Sequence, residues 1–148
     1  MDTQRIVNLT EYLQELHKAK IANEDHTTLL LNCYTKLKDV VKLNAFLMTE
    51  NIEFDIDTAI KVLRQSGYYK QALNLSEKHA KHDDYLKIQL ENSNNYLDAI
   101  DYIKKLSDEE AVVNLKKYGK LIMKHAPDKT VELLKIICSK INRKSKLV

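Results

Sequence analysis

Two histidines and two aspartates stand close together at His79, His82, Asp83 and Asp84. Side chains at i and i+3 lie one turn apart on a helix, so His79 and His82 could offer both imidazoles to one metal ion, with the carboxylates completing its coordination. Lys78 and Lys81 crowd the same stretch with positive charge, and a helix break predicted at His82 and Asp83 assigns the two imidazoles to different helices. The expected roles are structural: Asp83 or Asp84 as an N-cap and first-turn acid, and His79 at the end of the preceding helix, where the dipole favours a cation. A helical metal-binding protein using His79 and His82 is the sharper alternative.

Nucleophilic chemistry would need Cys33 or Cys138 beside a histidine in a cleft. Both thiols fall on apolar stripes of predicted helices and form no CxxC pair, which suits two reduced, packed cysteines in a cytosolic protein. Acid pairs such as Asp55 with Asp57, or Asp108 to Glu110, fall at predicted helix starts and offset the positive dipole end there. Two glycines cannot build a phosphate-binding loop, and the eight tyrosines, Tyr68 and Tyr69 among them, read as helix-packing aromatics rather than a base-stacking platform. No catalytic residue, cofactor-binding residue or metal ligand is assigned, so the chain reads as a non-enzyme without cofactors.

Charge narrows the partners. The net charge is +3, but Lys140, Arg143, Lys144 and Lys146 supply more than that from the last nine residues, and without them 20 basic residues face 21 acidic ones. A neutral body offers no basic stripe, so nucleic acid is not an expected partner. The basic residues from 142 to 148 are expected to form a frayed tail. No run approaches the ~20 apolar residues that cross a bilayer, and the charged start from Met1 to Arg5 has no apolar stretch of a signal peptide behind it.

The elements that hold these side chains must be helices. With 2 Gly and 1 Pro the chain cannot make the many tight turns of an all-β fold. Helical periodicity recurs throughout, with breaks at Asn23 to Asp25, Lys38 to Asp39, Asn51 to Asp55, Gly67, His82 to Asp83, Ser93 to Asn94, Ser107 and Pro127. Between breaks the apolar residues share one face: Leu30, Cys33, Tyr34 and Leu37; Ile56, Ile60 and Leu63; Tyr96, Ala99, Ile100, Ile103 and Leu106; Val131, Leu134, Cys138 and Ile141. Ser107 followed by Glu110 has capping-box spacing, Pro127 can open a helix and Gly67 can close one.

Short connections between such helices make sequential neighbours antiparallel. Ala45, Ala72 and Ala99 recur at a 27-residue interval, each followed by a large apolar residue, and Tyr69 and Tyr96 share that interval. The pattern predicts an all-α chain, an α-solenoid of antiparallel helical hairpins with about nine to ten helices, running as one segment over 1–141.

Longer stretches carry a more specific signal: DHTTLLLNCYTKLKD from Asp25 to Asp39, DTAIKVLRQSGYY from Asp57 to Tyr69, YLKIQLE from Tyr85 to Glu91, NYLDAIDYIKKL from Asn95 to Leu106 and YGKLIMKHAP from Tyr118 to Pro127. In these the chain resembles the clathrin heavy chain repeat region of the vacuolar protein sorting-associated protein eleven family, the class C core subunits of the HOPS and CORVET tethering complexes. The resemblance implies a scaffold stretch of a larger cytosolic subunit, between an amino-terminal β-propeller and a zinc-binding RING-type module. The chain has no Cys/His cluster of zinc-ligand spacing, so RING-linked roles are carried onto none of its residues, and it reads as a fragment, a truncated product or a short paralogue.

By the same resemblance the partners are other class C, HOPS and CORVET subunits and, through them, Rab GTPases and SNAREs. Localisation is then cytoplasmic, peripheral on late endosome, lysosome or vacuole membranes through the complex alone; the alternative beside the metal-binding one is a generic helical-repeat adaptor unrelated to traffic. A solenoid segment exposes apolar faces at its ends, which singles out Leu9, Leu13, Leu16, Leu134, Ile137 and Ile141 as candidate partner-interface residues and predicts self-association or a need for flanking helices.

Overall fold

The computed structural model describes residues 2–49 and 54–146. Its elements in order are α1 (Thr3–Lys18), α2 (Glu24–Leu37), α3 (Val40–Met48), α4 (Ile56–Gln65), α5 (Tyr69–Lys78), α6 (His82–Lys87), a π-helical turn (Ile88–Asn92), α7 (Tyr96–Lys105), α8 (Asp108–His125) and α9 (Pro127–Lys146). No strand occurs among the described residues. The basic residues 142–146 continue α9 as helix.

Helix starts follow local chemistry. Asp39, Asn95 and Ser107 each accept, through the side chain, the backbone N–H three residues on, which satisfies a donor the helix itself leaves open. Asn23 forms a reciprocal box: its Oδ1 accepts from the His26 N–H, while its own N–H donates to His26 Nδ1. Asp55 accepts the Thr58 hydroxyl at 2.6 Å, and that bond leads in holding its carboxyl below the usual range. Pro127 opens α9, where its missing N–H costs nothing.

The ends of α1, α2, α4 and α5 share one device. Lys20, Lys38, Gly67 and Ala80 all sit at positive φ. At each, the N–H bonds back three residues and the next N–H bonds back five, as in Gly67 to Arg64 with Tyr68 to Leu63, and Ala80 to Glu77 with Lys81 to Ser76. This pair of bonds satisfies the last carbonyls and turns the chain into the following helix.

Contacts group into two compact units, residues 1–85 and 86–148. In the first, α2 packs on α1, α3 and α4, and α4 packs on α5. Its core includes Leu13, Leu30, Leu43 and Leu63, none more than 1% exposed, and Phe46 meets Tyr34 and His17 edge-on at 5.6 and 5.8 Å between ring centres. In the second unit α7 packs against the π-helical turn, α8 and α9, and α8 packs along α9. Its core includes Ile100, Ile103, Ile122 and Leu133.

The repeat interval is less regular than the alanines suggest. Tyr69 and Tyr96 do open equivalent helices, and Ala72 and Ala99, three residues later, are fully buried. Ala45 is exposed, and the residue three past the start of α3 is the buried Leu43. From α3 to α5 the interval is therefore 29 residues, against 27 from α5 to α7.

Candidate interaction surfaces

The histidine pair is divided between two helices. His79 caps the end of α5, His82 opens α6, and the left-handed Ala80 between them turns the chain. Asp83 and Asp84 lie in the first turn of α6, where acids offset the helix dipole. No group of three His, Cys, Asp or Glu side chains able to hold a metal occurs among the described residues.

Other polar chemistry is locally engaged. The hydroxyls of Thr10, Thr27, Ser76 and Thr130 donate to carbonyls four residues back, and no buried side-chain N or O among the described residues lacks a partner. Lys81 bridges to Asp57 at 3.1 Å. Burial of the His17 ring, helped by nearby His26, holds its pKa below the ordinary range.

Cys33 is buried as expected, but Cys138 is exposed, which corrects the expectation of two packed thiols. The cause lies in α9, which carries two apolar stripes. Thr130, Leu133 and Ile137 form the buried one, while Val131, Leu134, Cys138 and Ile141 lie roughly a quarter turn away and face solvent. Both stripes satisfy helical periodicity, so spacing alone does not choose between them.

The candidate interface residues divide accordingly. Leu13 and Ile137 are core residues of their own units, Leu9 and Leu16 are half-buried, and Leu134 and Ile141 are exposed. Leu134 also lines a groove of about 410 Å³ between α8 and α9, with Leu115, Gly119 and Met123 on the facing helix.

A larger groove, about 700 Å³, lies in the first unit between α3 and α5. Val40, Leu47 and Met48 form one wall, and Leu75 with Lys70 and Lys78 the other, while Gln71 Nε2 donates to Asn44 Oδ1 across it at 3.1 Å. Val41 and Met48 on α3 are 80% and 78% exposed. None of these α3 residues was among the sequence candidates. The signal was available, because VVKLNAFLM from Val40 to Met48 carries a single charge and is apolar on every side.

Helices, hairpin corners and open grooves describe a repeat protein, and a family model decides which: the PEP5/VPS11 clathrin repeat matches residues 1–147. The chain belongs to that family. The all-α class and the repeat type read from the sequence agree with this clathrin-repeat assignment. Among curated relatives, the vacuolar protein sorting-associated protein 11 homolog of Mus musculus is 58% identical over 142 residues, and that of Homo sapiens 57%. The Dictyostelium discoideum homolog is 56% identical over 139 residues. Each alignment takes in 94% of this chain and 15% of the relative, so the chain spans about 15% of the length of the clathrin-repeat proteins it matches. No described helix is long and apolar enough to cross a membrane.

Proposed function

We propose that this chain is a non-catalytic protein-interaction scaffold in vacuolar protein sorting. The observation that carries the reading is the clathrin-repeat match over residues 1–147, joined to identities of 56–58% with vacuolar sorting proteins across 94% of the chain. The geometry supports it. Polar groups are engaged in caps and turns, whereas apolar side chains such as Val41, Met48 and Leu134 stay open to solvent, the pattern of a surface that binds protein.

In the finer reading, the segment belongs to a class C subunit shared by the HOPS and CORVET tethering complexes. It holds neighbouring subunits at fixed spacing and reaches Rab GTPases and SNAREs through them. It works in the cytoplasm, at late endosome, lysosome or vacuole membranes. The exposed α9 stripe and the half-buried Leu9 and Leu16 of α1 support subunit contacts at these helices.

Disruption of the gene tests the reading, with delivery of a vacuolar or lysosomal hydrolase followed by its proteolytic maturation, and with affinity purification of the tagged protein probed for the other class C subunits. Stalled maturation and recovery of those subunits are expected. Normal maturation with no class C subunit recovered would overturn the proposal.

A further inference from the structure

The groove between α3 and α5 combines apolar side chains from one helix with lysines from the other. Among the described residues nine line it, of which Lys70 and Lys78 are cations and none is an anion. Both lysines are exposed, and neither is in an ion pair among the described residues. They stand eight residues apart on α5, about 12 Å along the helix axis.

The opposite wall is apolar beyond what its own unit needs. Leu43 and Phe46 anchor α3 from its inner face, and Val40, Val41 and Met48 are left 43%, 80% and 78% exposed. The equivalent helix α5 instead turns Lys70, Asn74, Glu77 and Lys78 outward, the ordinary solvated face. An apolar wall facing a cationic one selects a ligand that is apolar on one side and anionic on its flank. With helices for walls and no strand among the described residues to extend, the matching mode is a helix laid in the groove.

We propose that the α3–α5 groove docks an amphipathic helix of a partner protein, apolar where it meets Val40, Leu47 and Met48 and carrying carboxylates that pair with Lys70 and Lys78. This rests on the scaffold reading above and names the chemistry of one of its partners. Carboxylates two turns apart on the ligand helix match the lysine spacing, and apolar anchors at i, i+3, i+4 and i+7 fill the groove.

Fluorescence anisotropy on the whole chain tests it, using a labelled helical peptide of about 16 residues with leucines at the anchor positions and glutamates on both flanks. A second peptide carries lysine in place of each glutamate. The acidic peptide is expected to bind at least about tenfold more tightly than the basic one, and this preference is expected to invert in the Lys70→Glu/Lys78→Glu variant. Met48→Glu is expected to weaken the acidic peptide about tenfold, with thermal melting of both variants close to wild type because all three side chains are exposed.

Equal affinity for the two peptides, no binding, or binding untouched by Met48→Glu would overturn the proposal. So would a dimer in light scattering that Met48→Glu dissolves, which gives the groove to a second copy of the chain. Binding of phosphatidylserine vesicles, lost on charge reversal and unaccompanied by peptide binding, would give it to a membrane and likewise overturn it. Failure of the peptide arm with stalled hydrolase maturation removes this inference alone. A positive peptide arm with normal maturation and no class C subunit recovered removes the sorting role and leaves the groove standing.

Discussion

Phe46 fixes α3 to the rest of its unit, so its truncation tests the packing and the cause of the His17 shift together. The ring is 8% exposed and meets Tyr34 and His17 edge-on. Phe46→Ala removes the ring and leaves a cavity, at a cost of about 3–5 kcal/mol. Phe46→Leu keeps most of the apolar volume and loses two ring pairs, each contributing about 0.5–1.5 kcal/mol beyond area, so about 1–3 kcal/mol is expected. For a chain of 148 residues the alanine variant should then melt roughly 6–20 °C below wild type by circular dichroism. The same truncation admits water to His17, whose perturbation comes first from burial, so its pKa in the folded alanine variant should rise toward the ordinary imidazole value when followed by NMR. An alanine variant melting within about 3 °C of wild type, or an unchanged His17 titration, would refute this account of the cluster.

Folding lowers the affinity of His17 for a proton, so the stability it contributes is fully present above its ordinary pKa of 6.5 and is lost as pH falls through that value toward the folded one; urea titrations at descending pH should show the decline, and His17→Gln should flatten it. Cys138 should react with a thiol reagent in the native protein while Cys33 reacts only after unfolding, giving one fast thiol in a stopped-flow trace and two in urea. Gly119 lies inside α8 with open space where a Cβ would stand, so Gly119→Ala should raise stability by about 0.5–1 kcal/mol. Gly67 has the same open space but a φ of +83°, so Gly67→Ala should cost about 1–2 kcal/mol, and denaturant midpoints of the two variants should move in opposite directions.

Helix starts were the most legible feature of the sequence, because Asp39, Asp55, Ser107 and Pro127 act through their own side chains or ring, and residue type announces them. Helix ends were less so. Gly67 marks its corner, whereas Lys20, Lys38 and Ala80 build the same corner from backbone bonds that no side chain advertises. The π-helical turn at Ile88–Asn92, which buries Ile88, Gln89 and Leu90 in succession, also breaks the 3.6-residue period that sequence reading relies on. On α9 two apolar stripes competed, and packing against α7 and α8 made the choice. The α3 wall was missed because a short helix apolar on all sides reads as core, and only the packed structure shows which of its faces is covered.

Corners written in the backbone have a consequence for how such a chain changes over generations. At Lys20, Lys38 and Ala80 the hydrogen bonds of the turn use N–H and C=O groups that every residue except proline supplies, so the constraint on identity there comes from the left-handed φ, which favours glycine and asparagine and disfavours β-branched side chains. Exchange among unbranched residues at those positions alters the surface while keeping the hydrogen bonds of the corner. Lys20 and Lys38 show the result, since each holds a left-handed turn while leaving its ammonium group in solvent, where a partner's choice of residue can be answered by a single substitution.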